Sequence, residues 1–291
     1  MSLGRINTNI AALRAYFNLN GTADALAGAQ QRITTGYRIS SAADDPSGFI
    51  MSKTMSTRTQ NLATVQKSIG QARDMLAVVE GGLNSIVDLL REMKDKALEA
   101  ADGSVGTTER VSLGNAIKAL GDSVTDIATN TEFNNVTLLD GTYSTTGTGV
   151  LTFRTGVGVN DITTVGFSSF GGLTRQGDFQ LSSLGLSSLV SGGISTIAEA
   201  SSIVSAVNNA ITYVNNAITE IGAKNKGLNA RNDAISIERT NTESALSRIR
   251  DADTLFEAME TNKLQIRSQA TIAMLAQANA LPQMVLSLLG R

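Results

Sequence analysis

Apolar residues recur along this chain with a 3,4 spacing that is unbroken from Leu62 to Ala100. The series is Leu62, Val65, Ile69, Ala72, Leu76, Val79, Leu83, Ile86, Leu90, Met93, Ala97 and Ala100, with no polar member. Such a repeat places one seam on a helix that must face another helix, as in a left-handed coiled coil. At 1.5 Å per residue the helix would be about 58 Å long, several times the usual length of about 11–12 residues. An elongated molecule is therefore predicted. The Gly81-Gly82 pair inside the seam costs about 1 kcal/mol per glycine in helix propensity and predicts a close helix crossing.

A second helix is predicted after a turn at Gly103–Gly106, with the stripe Val111, Ile117, Leu120, Val124 and Ile127, stopping in the Asn130–Asn135 region. From Thr142 to about Gly193 the chain turns rich in Gly, Ser and Thr. Two runs that favour strands, Val150–Phe153 and Ile162–Val165, flank Gly156, Gly158, Asn160 and Asp161. That pattern predicts a β-hairpin or small sheet followed by a loosely structured loop near Gly171-Gly172, although the composition also fits a flexible linker.

Helical spacing returns at Ile197, Val204, Val207, Ile211, Val214, Ile218, Ile221, Leu228 and Ile235, with Asn225 and Asn232 as polar seam positions. A buried Asn fixes coiled-coil register at a cost in stability; local solvation of the seam is the competing explanation. A final helix carries Ile249, Ala252, Phe256, Met259, Ile266, Ala270, Ala273 and Ala280. The N-terminal arm has a matching stripe of Ala12, Tyr16, Leu19, Ala23, Leu26 and Ile33.

The layout is nearly mirror-symmetric: helix, long helix, β-rich middle, long helix, helix. It predicts a mainly α fold, a long antiparallel coiled-coil rod whose small β-rich centre projects from the far end. Three parts are expected: residues 1–43 with 250–291 as a terminal coiled coil, 44–140 with 194–249 as the rod, and 141–193 as the β-rich region. Leu62, Ile69, Leu76, Leu83 and Leu90 would pack in the rod seam with Val207, Val214 and Ile221. The two arms would expose apolar stripes in an isolated monomer, where such helices are marginal in water. Arms of this kind belong to a subunit that orders them against its neighbours.

Composition narrows the chemistry. The 291 residues hold 24 basic and 26 acidic side chains, and neither a basic excess nor an acidic tail points to nucleic acid or another charged partner. There is no Cys, His or Trp. That removes thiol and imidazole nucleophiles and most zinc, haem and iron–sulfur ligation, so no cofactor is expected and an enzyme is disfavoured. Met1–Asn20 lacks the apolar core and cleavage site of a secretory signal. Ser268–Gly290 is uncharged, but Gln269, Gln277, Asn279, Pro282 and Gln283 interrupt it. It reads as a partner-packed helix, and no membrane span is expected.

Several segments resemble the flagellin family. Ile6-Asn-Thr-Asn-Ile10, Ala11-Ala-Leu13 and Asn18-Leu-Asn20 are similar to its opening. The run Ile33-Thr-Thr-Gly-Tyr-Arg-Ile-Ser-Ser-Ala-Ala-Asp-Asp-Pro-Ser-Gly48 resembles its LSSGLRINSAADDAAG motif. Thr131-Glu-Phe-Asn-Asn-Val136 resembles TQFNGV. At the other end, Ser247–Asp253 and Gln277–Leu289 resemble the family's carboxyl terminus. The resemblance covers residues 1–140 and 195–291, with its motifs in the family's order.

It implies a structural subunit of the bacterial flagellar filament, exported without a cleaved signal to the cell exterior. Its partners would be copies of itself, the filament cap and hook-associated proteins, and the export apparatus and chaperone. The arms would line the inner tube through Leu13, Tyr16, Leu19, Leu26, Ile33, Phe256, Met259, Ile266, Leu281, Val285 and Leu288. The nearest rival is a hook–filament junction protein, against which the complete Leu281–Arg291 ending weighs. A coiled-coil scaffold or translocator is the more distant alternative.

Two charged groups have ordinary readings. Asp44-Asp45-Pro46-Ser47-Gly48 is a turn, in which Asp accepts backbone hydrogen bonds, Pro presets φ and Gly permits a positive φ, with Asp44 or Asp45 starting the next helix. Arg248, Arg250, Asp251 and Asp253 form either a solvated face or a contact at the arm–rod junction with Arg38 or the Asp44-Asp45 turn. By the same resemblance, Leu90–Ala97 corresponds to the surface by which Toll-like receptor 5, an innate immune receptor, detects flagellins. Here Arg91 is followed by Glu92 where the pattern LQRVRELA has its central arginine, and Lys96 replaces a leucine. A reversed charge at that contact implies weak or absent receptor activation.

Overall fold

The computed structural model describes residues 9–141, 151–158, 160–165, 178–186 and 194–289, with only the backbone for 151, 165 and 281–289. Among these residues five helices dominate: α1 (Ile10–Thr35), α2 (Pro46–Ala100), α3 (Thr107–Asn130), α4 (Ile197–Arg250) and α5 (Thr254–Leu289). Two short antiparallel ladders complete the inventory. In the first, β1 (Glu132–Phe133) pairs with β2 (Val136–Thr137). In the second, β3 (Leu151–Arg154) pairs with β4 (Ile162–Val165) in the register Leu151↔Val165 to Arg154↔Ile162. The fold is mainly α with antiparallel coiled-coil packing and a small β-hairpin region. The Gly171-Gly172 loop lies outside the described residues.

The helix boundaries follow from capping. Asp45 Oδ1 accepts the Gly48 N–H at 3.0 Å, so α2 opens with Pro46 in its first turn, where a missing N–H costs nothing. It runs for 55 residues, well beyond the seam that the 3,4 spacing marks. At α4, Thr196 Oγ1 accepts the Glu199 N–H at 3.2 Å while Glu199 Oε2 accepts the Thr196 N–H at 2.9 Å. This reciprocal pair leaves Ile197 at the first helical position and 47% exposed, so it does not join the seam. Val111 is likewise exposed.

The chain divides into two compact units, Met1–Thr59 with Thr240–Arg291 and Gln60–Arg239. In the second, one buried cluster takes in α2 from Leu62 to Ala100, α3 at Ile117, Val124 and Ala128, and α4 from Ala200 to Ile235. Every member of the Leu62–Ala100 series is buried, as are Val207, Val214 and Ile221. The α4 seam also uses Ala200, Ile203, Ala210 and Ala217, which fill the alternate 3,4 steps between the valines and isoleucines. Asn225 is half-buried, and its Oδ1 is shielded from solvent with no hydrogen-bond partner among the described residues.

The Gly81-Gly82 pair marks a close approach, but not a helix crossing. A methyl on Gly82 would lie 2.8 Å from Thr131 Oγ1 and 3.0 Å from Leu139 Cδ1, whereas Gly81 faces open space. Residues 178–186, within the stretch whose composition reads as low complexity, cap this core. Phe179 is fully buried, stacks on Tyr213 at 5.2 Å and donates its N–H to Leu139 O at 3.0 Å. Gly121 on α3 leaves room for Leu181, whose Cδ2 would sit 2.8 Å from a methyl there.

Arg110 is a buried cation with carbonyl partners. Its Nε donates to Ala100 O at 2.7 Å, Nη2 to Val105 O at 2.9 Å and Asp102 O at 3.2 Å, and Nη1 to Ser195 O at 3.4 Å. Ala100 O is one of the carbonyls a helix end leaves without an internal partner. One guanidinium therefore satisfies the end of α2, the turn into α3 and the approach to α4.

Candidate functional site

In the first unit α1 packs along α5. Their shared seam is small and polar. From α1 it takes Ala15, Thr22 and Ala29, and from α5 Glu257, Thr261, Leu264, Thr271 and Ala278, all buried. The α5 positions run 257, 261, 264, 271 and 278, a heptad pattern carried mainly by Thr, Ala and Glu. Leu19 and Leu26 of α1 flank this seam, half-buried.

Polar bonds set the register at both ends. Asn9 caps α1 by accepting the Ala12 N–H and donates Nδ2–H to Ala278 O at 2.7 Å. At the other end Arg32 Nε donates to Glu257 Oε1 at 2.9 Å. The Glu257 side chain is only 8% exposed, and removal of one partner from such a pair leaves an uncompensated charge. Glu257 Oε2 and Thr261 Oγ1 are shielded from solvent with no hydrogen bond among the described residues.

Apart from Leu264, Leu19 and Leu26, many of the larger apolar side chains face outward. Leu13, Tyr16, Phe17 and Ile33 on α1 and Leu255, Phe256, Met259, Ile266, Ile272 and Met274 on α5 are exposed. The arm positions Tyr16, Ile33, Phe256, Met259 and Ile266 thus do not face each other within the chain. The side chains of Leu281, Val285 and Leu288 lie outside the described residues. Sequence spacing missed the inner seam because Thr, Ala and Glu carry a weaker periodic signal than the Leu, Ile and Phe beside them.

The two helix breaks of this unit clasp each other. Gly36 closes α1 at φ +71° with its N–H on Arg32 O. Tyr37 and Asp251 then form an antiparallel bridge. Arg38 N–H donates to Arg250 O at 2.7 Å, Arg38 Nη2 to Ile249 O at 2.8 Å and Ala252 N–H to Gly36 O at 2.8 Å. The Arg250 guanidinium lies 4.0 Å from the Tyr37 ring centroid, a cation–π stack, and reaches Asp251 Oδ1 at 3.4 Å.

Arg38 and Arg250 are therefore brought together through backbone carbonyls. Asp44 serves its own turn, accepting from the N–H and hydroxyl of both Ser40 and Ser41 at 2.8–3.1 Å. Those donors hold the Asp44 carboxyl below the ordinary carboxylate value. Gly48 sits inside α2, and its positive-φ freedom is not used. What it supplies is space, since Ile39 Cδ1 would lie 2.6 Å from a methyl there.

The Leu90–Ala97 surface is helical. Arg91 pairs with Asp88 at 2.9 Å, Lys96 pairs with Glu99 at 3.2 Å, and Glu92 is exposed. Among the described residues there is no cluster of metal-ligating side chains, and no helix is long and apolar enough to cross a membrane.

Comparison with known proteins agrees with the two-ended pattern. Residues 6–144 match the bacterial flagellin N-terminal helical region and residues 204–289 match the bacterial flagellin C-terminal helical region. Flagellin FljO of Caulobacter vibrioides is 31% identical over 288 residues, 99% of each chain. The flagellar filament 30.7 kDa core protein of Treponema maltophilum is 29% identical over 292 residues, 98% of this chain and 99% of its own. Among solved structures, a putative flagellar hook-associated protein from Vibrio parahaemolyticus shares the fold with a TM-score of 0.58. It covers 72% of this chain and 100% of its own at 19% identity. The chain belongs to the bacterial flagellin family.

Proposed function

We propose that this chain is a structural subunit that polymerises into the bacterial flagellar filament and so serves swimming motility. The observation that carries this reading is the division of labour on α1 and α5. Their mutual seam is small and polar, while Leu13, Tyr16, Phe256, Met259 and Ile266 face outward, a surface that only neighbouring chains would bury. Contacts between unlike faces of successive copies do not close into a ring and extend a helical polymer.

Residues 1–43 with 250–291 act as the inner coiled coil, 44–140 with 194–249 as the surrounding rod, and 141–193 as the outer region. The clasp at Arg38 and Arg250 fixes the chain where each arm helix breaks, at the arm–rod junction of the sequence. The subunit acts outside the cell after export, with the cap, the hook-associated proteins, the export apparatus and a chaperone as its other partners. Glu92, exposed where flagellins detected by Toll-like receptor 5 carry an arginine, makes it a weak receptor ligand. The family consists of structural proteins, and no catalytic role is assigned.

The test is seeded polymerisation. The purified chain is dissociated by heat, short filament fragments are added, and the products are imaged by electron microscopy beside a chain lacking residues 1–33 and 255–291. Long filaments from the intact chain alone support the reading. Capping of seeds without elongation would replace it with a junction protein.

A further inference from the structure

The chain has no Cys, His or Trp, which leaves methionine as its most readily oxidised side chain. Of its eight methionines, those among the described residues fall into distinct surroundings. Met75 and Met93 lie in the rod core, 5% and 0% exposed. Met259 and Met274 are 64% and 56% exposed. Both stand on α5 in one stripe with Leu255 and Ile266. At about 100° per residue, that stripe is centred about 150° around the helix from Glu257, Thr261, Leu264 and Thr271, which face α1. Met51 is 52% exposed on α2 and is not part of the α5 stripe.

We propose that Met259 and Met274 form a redox-sensitive modification site that decides whether a free subunit can join the polymer. The proposal rests on the filament-subunit reading. The oxidant is a hydroperoxide, with hydrogen peroxide the simplest. A sulfur lone pair of the thioether attacks one peroxide oxygen and the O–O bond breaks. The sulfur keeps that oxygen as a sulfoxide, and the departing hydroxide takes up the remaining proton to leave as water. Sulfur loses two electrons and the peroxide gains them.

The product turns a flexible apolar side chain into a polar, chiral one. On a stripe whose use is burial against a neighbour, the new S=O must be desolvated without a designed partner. In the polymer the same neighbour shields both sulfurs. Oxidation therefore acts on subunits before they are incorporated and spares those already in place.

The experiment treats heat-dissociated subunits with hydrogen peroxide, maps added oxygen by peptide mass spectrometry, and measures elongation from untreated seeds. Treated and untreated growth are compared within each variant, so any effect of a substitution on basal growth cancels. The expected result is oxidation at Met259, Met274 and Met51 ahead of Met75 and Met93, with elongation lowered about tenfold. Methionine sulfoxide reductase restores growth. The double variant Met259→Leu/Met274→Leu keeps its untreated rate after peroxide, while Met51→Leu loses growth as the parent does. Intact filaments treated in the same way show little added oxygen at Met259 and Met274.

Equal loss of growth in the double variant would overturn the proposal. So would unimpaired growth of fully oxidised subunits, or filaments oxidised at these residues as fast as free chains. A chain that fails to elongate seeds even without peroxide would remove the filament reading and this site with it. Normal untreated growth with any of the other contrary results removes the site alone.

Discussion

The rod and the arms use the same heptad geometry for opposite ends. In the rod, Leu62, Ile69, Leu76, Leu83 and Leu90 are all buried within one chain, against α4 residues such as Val207 and Val214. In the arms, the heptad positions that meet are Ala15, Thr22 and Ala29 with Thr261, Leu264 and Thr271, while Ile266, Phe256 and Tyr16 stay exposed. At about 25 cal/mol per Å² of apolar surface removed from water, the first seam supplies its own stability and the second supplies little. The teaching is that seam composition, and not periodicity alone, separates a core that one chain completes from a surface that awaits a partner.

The sharpest way to break this comparison is a matched pair of truncations. Leu83→Ala should cost about 3 kcal/mol in the isolated subunit, read by denaturant unfolding. Ile266→Ala should change subunit stability by less than about 0.5 kcal/mol yet slow filament elongation about tenfold. Next in size, Arg110→Leu strips the carbonyls of Ala100, Val105, Asp102 and Ser195 of their donor. It should lower stability by about 2 kcal/mol with the arms unaffected.

Smaller again is a contrast between adjacent glycines. Gly81→Ala gains helix propensity without contact and should stabilise by about 0.5–1 kcal/mol. At Gly82 the clash with Thr131 and Leu139 outweighs that gain and should leave a loss of about 1 kcal/mol. Thermal melts resolve both.

The smallest effect is acid sensitivity. Hydrogen bonds from Ser41 and Ser40 to Asp44, from Ser104 to Asp102, and from Ser195 and Thr196 to Glu199 lower these carboxyls from ordinary values of 3.8, 3.8 and 4.5. A depressed folded value means stability that is fully present above the unfolded value and lost as pH falls through the folded one. The melting temperature should therefore stay flat from neutrality to about pH 5 on this account and fall below about pH 4. Asp44→Asn should flatten part of that fall.

The legible part of the fold was the part built from large aliphatics. A 3,4 run without a polar member has one physical solution, and every residue of the Leu62–Ala100 series is buried. The β3–β4 hairpin was legible from two short β-favouring runs around a Gly-Asp turn, and Arg231 Nε ties that turn to α4 by donating to Thr155 O at 2.6 Å. Ile197 misled because a capping box starts α4 there, and a helix's first residue does not inherit the phase of its seam.

The inner arm seam was not legible because Thr, Ala and Glu at heptad positions look like an ordinary solvated face. What would have revealed it is the charge pair that Arg32 and Glu257 make across 225 residues, a signal that spacing within one helix cannot carry. Arg110 was missed for a related reason, since its partners are backbone carbonyls from three separate segments. The Asp-Asp-Pro-Ser-Gly context of Gly48 reads as a turn, while the structure uses only its lack of a side chain.

Hydrogen exchange followed by mass spectrometry, run on the free subunit and on the assembled filament, tests the contrast most directly. Peptides across Leu62–Ala100 should be protected in both states. Peptides across 10–35 and 254–280 should exchange rapidly in the subunit and become protected in the filament. Arms as protected as the rod in the free subunit would contradict the account, because the polar seam would then be holding them without a neighbour.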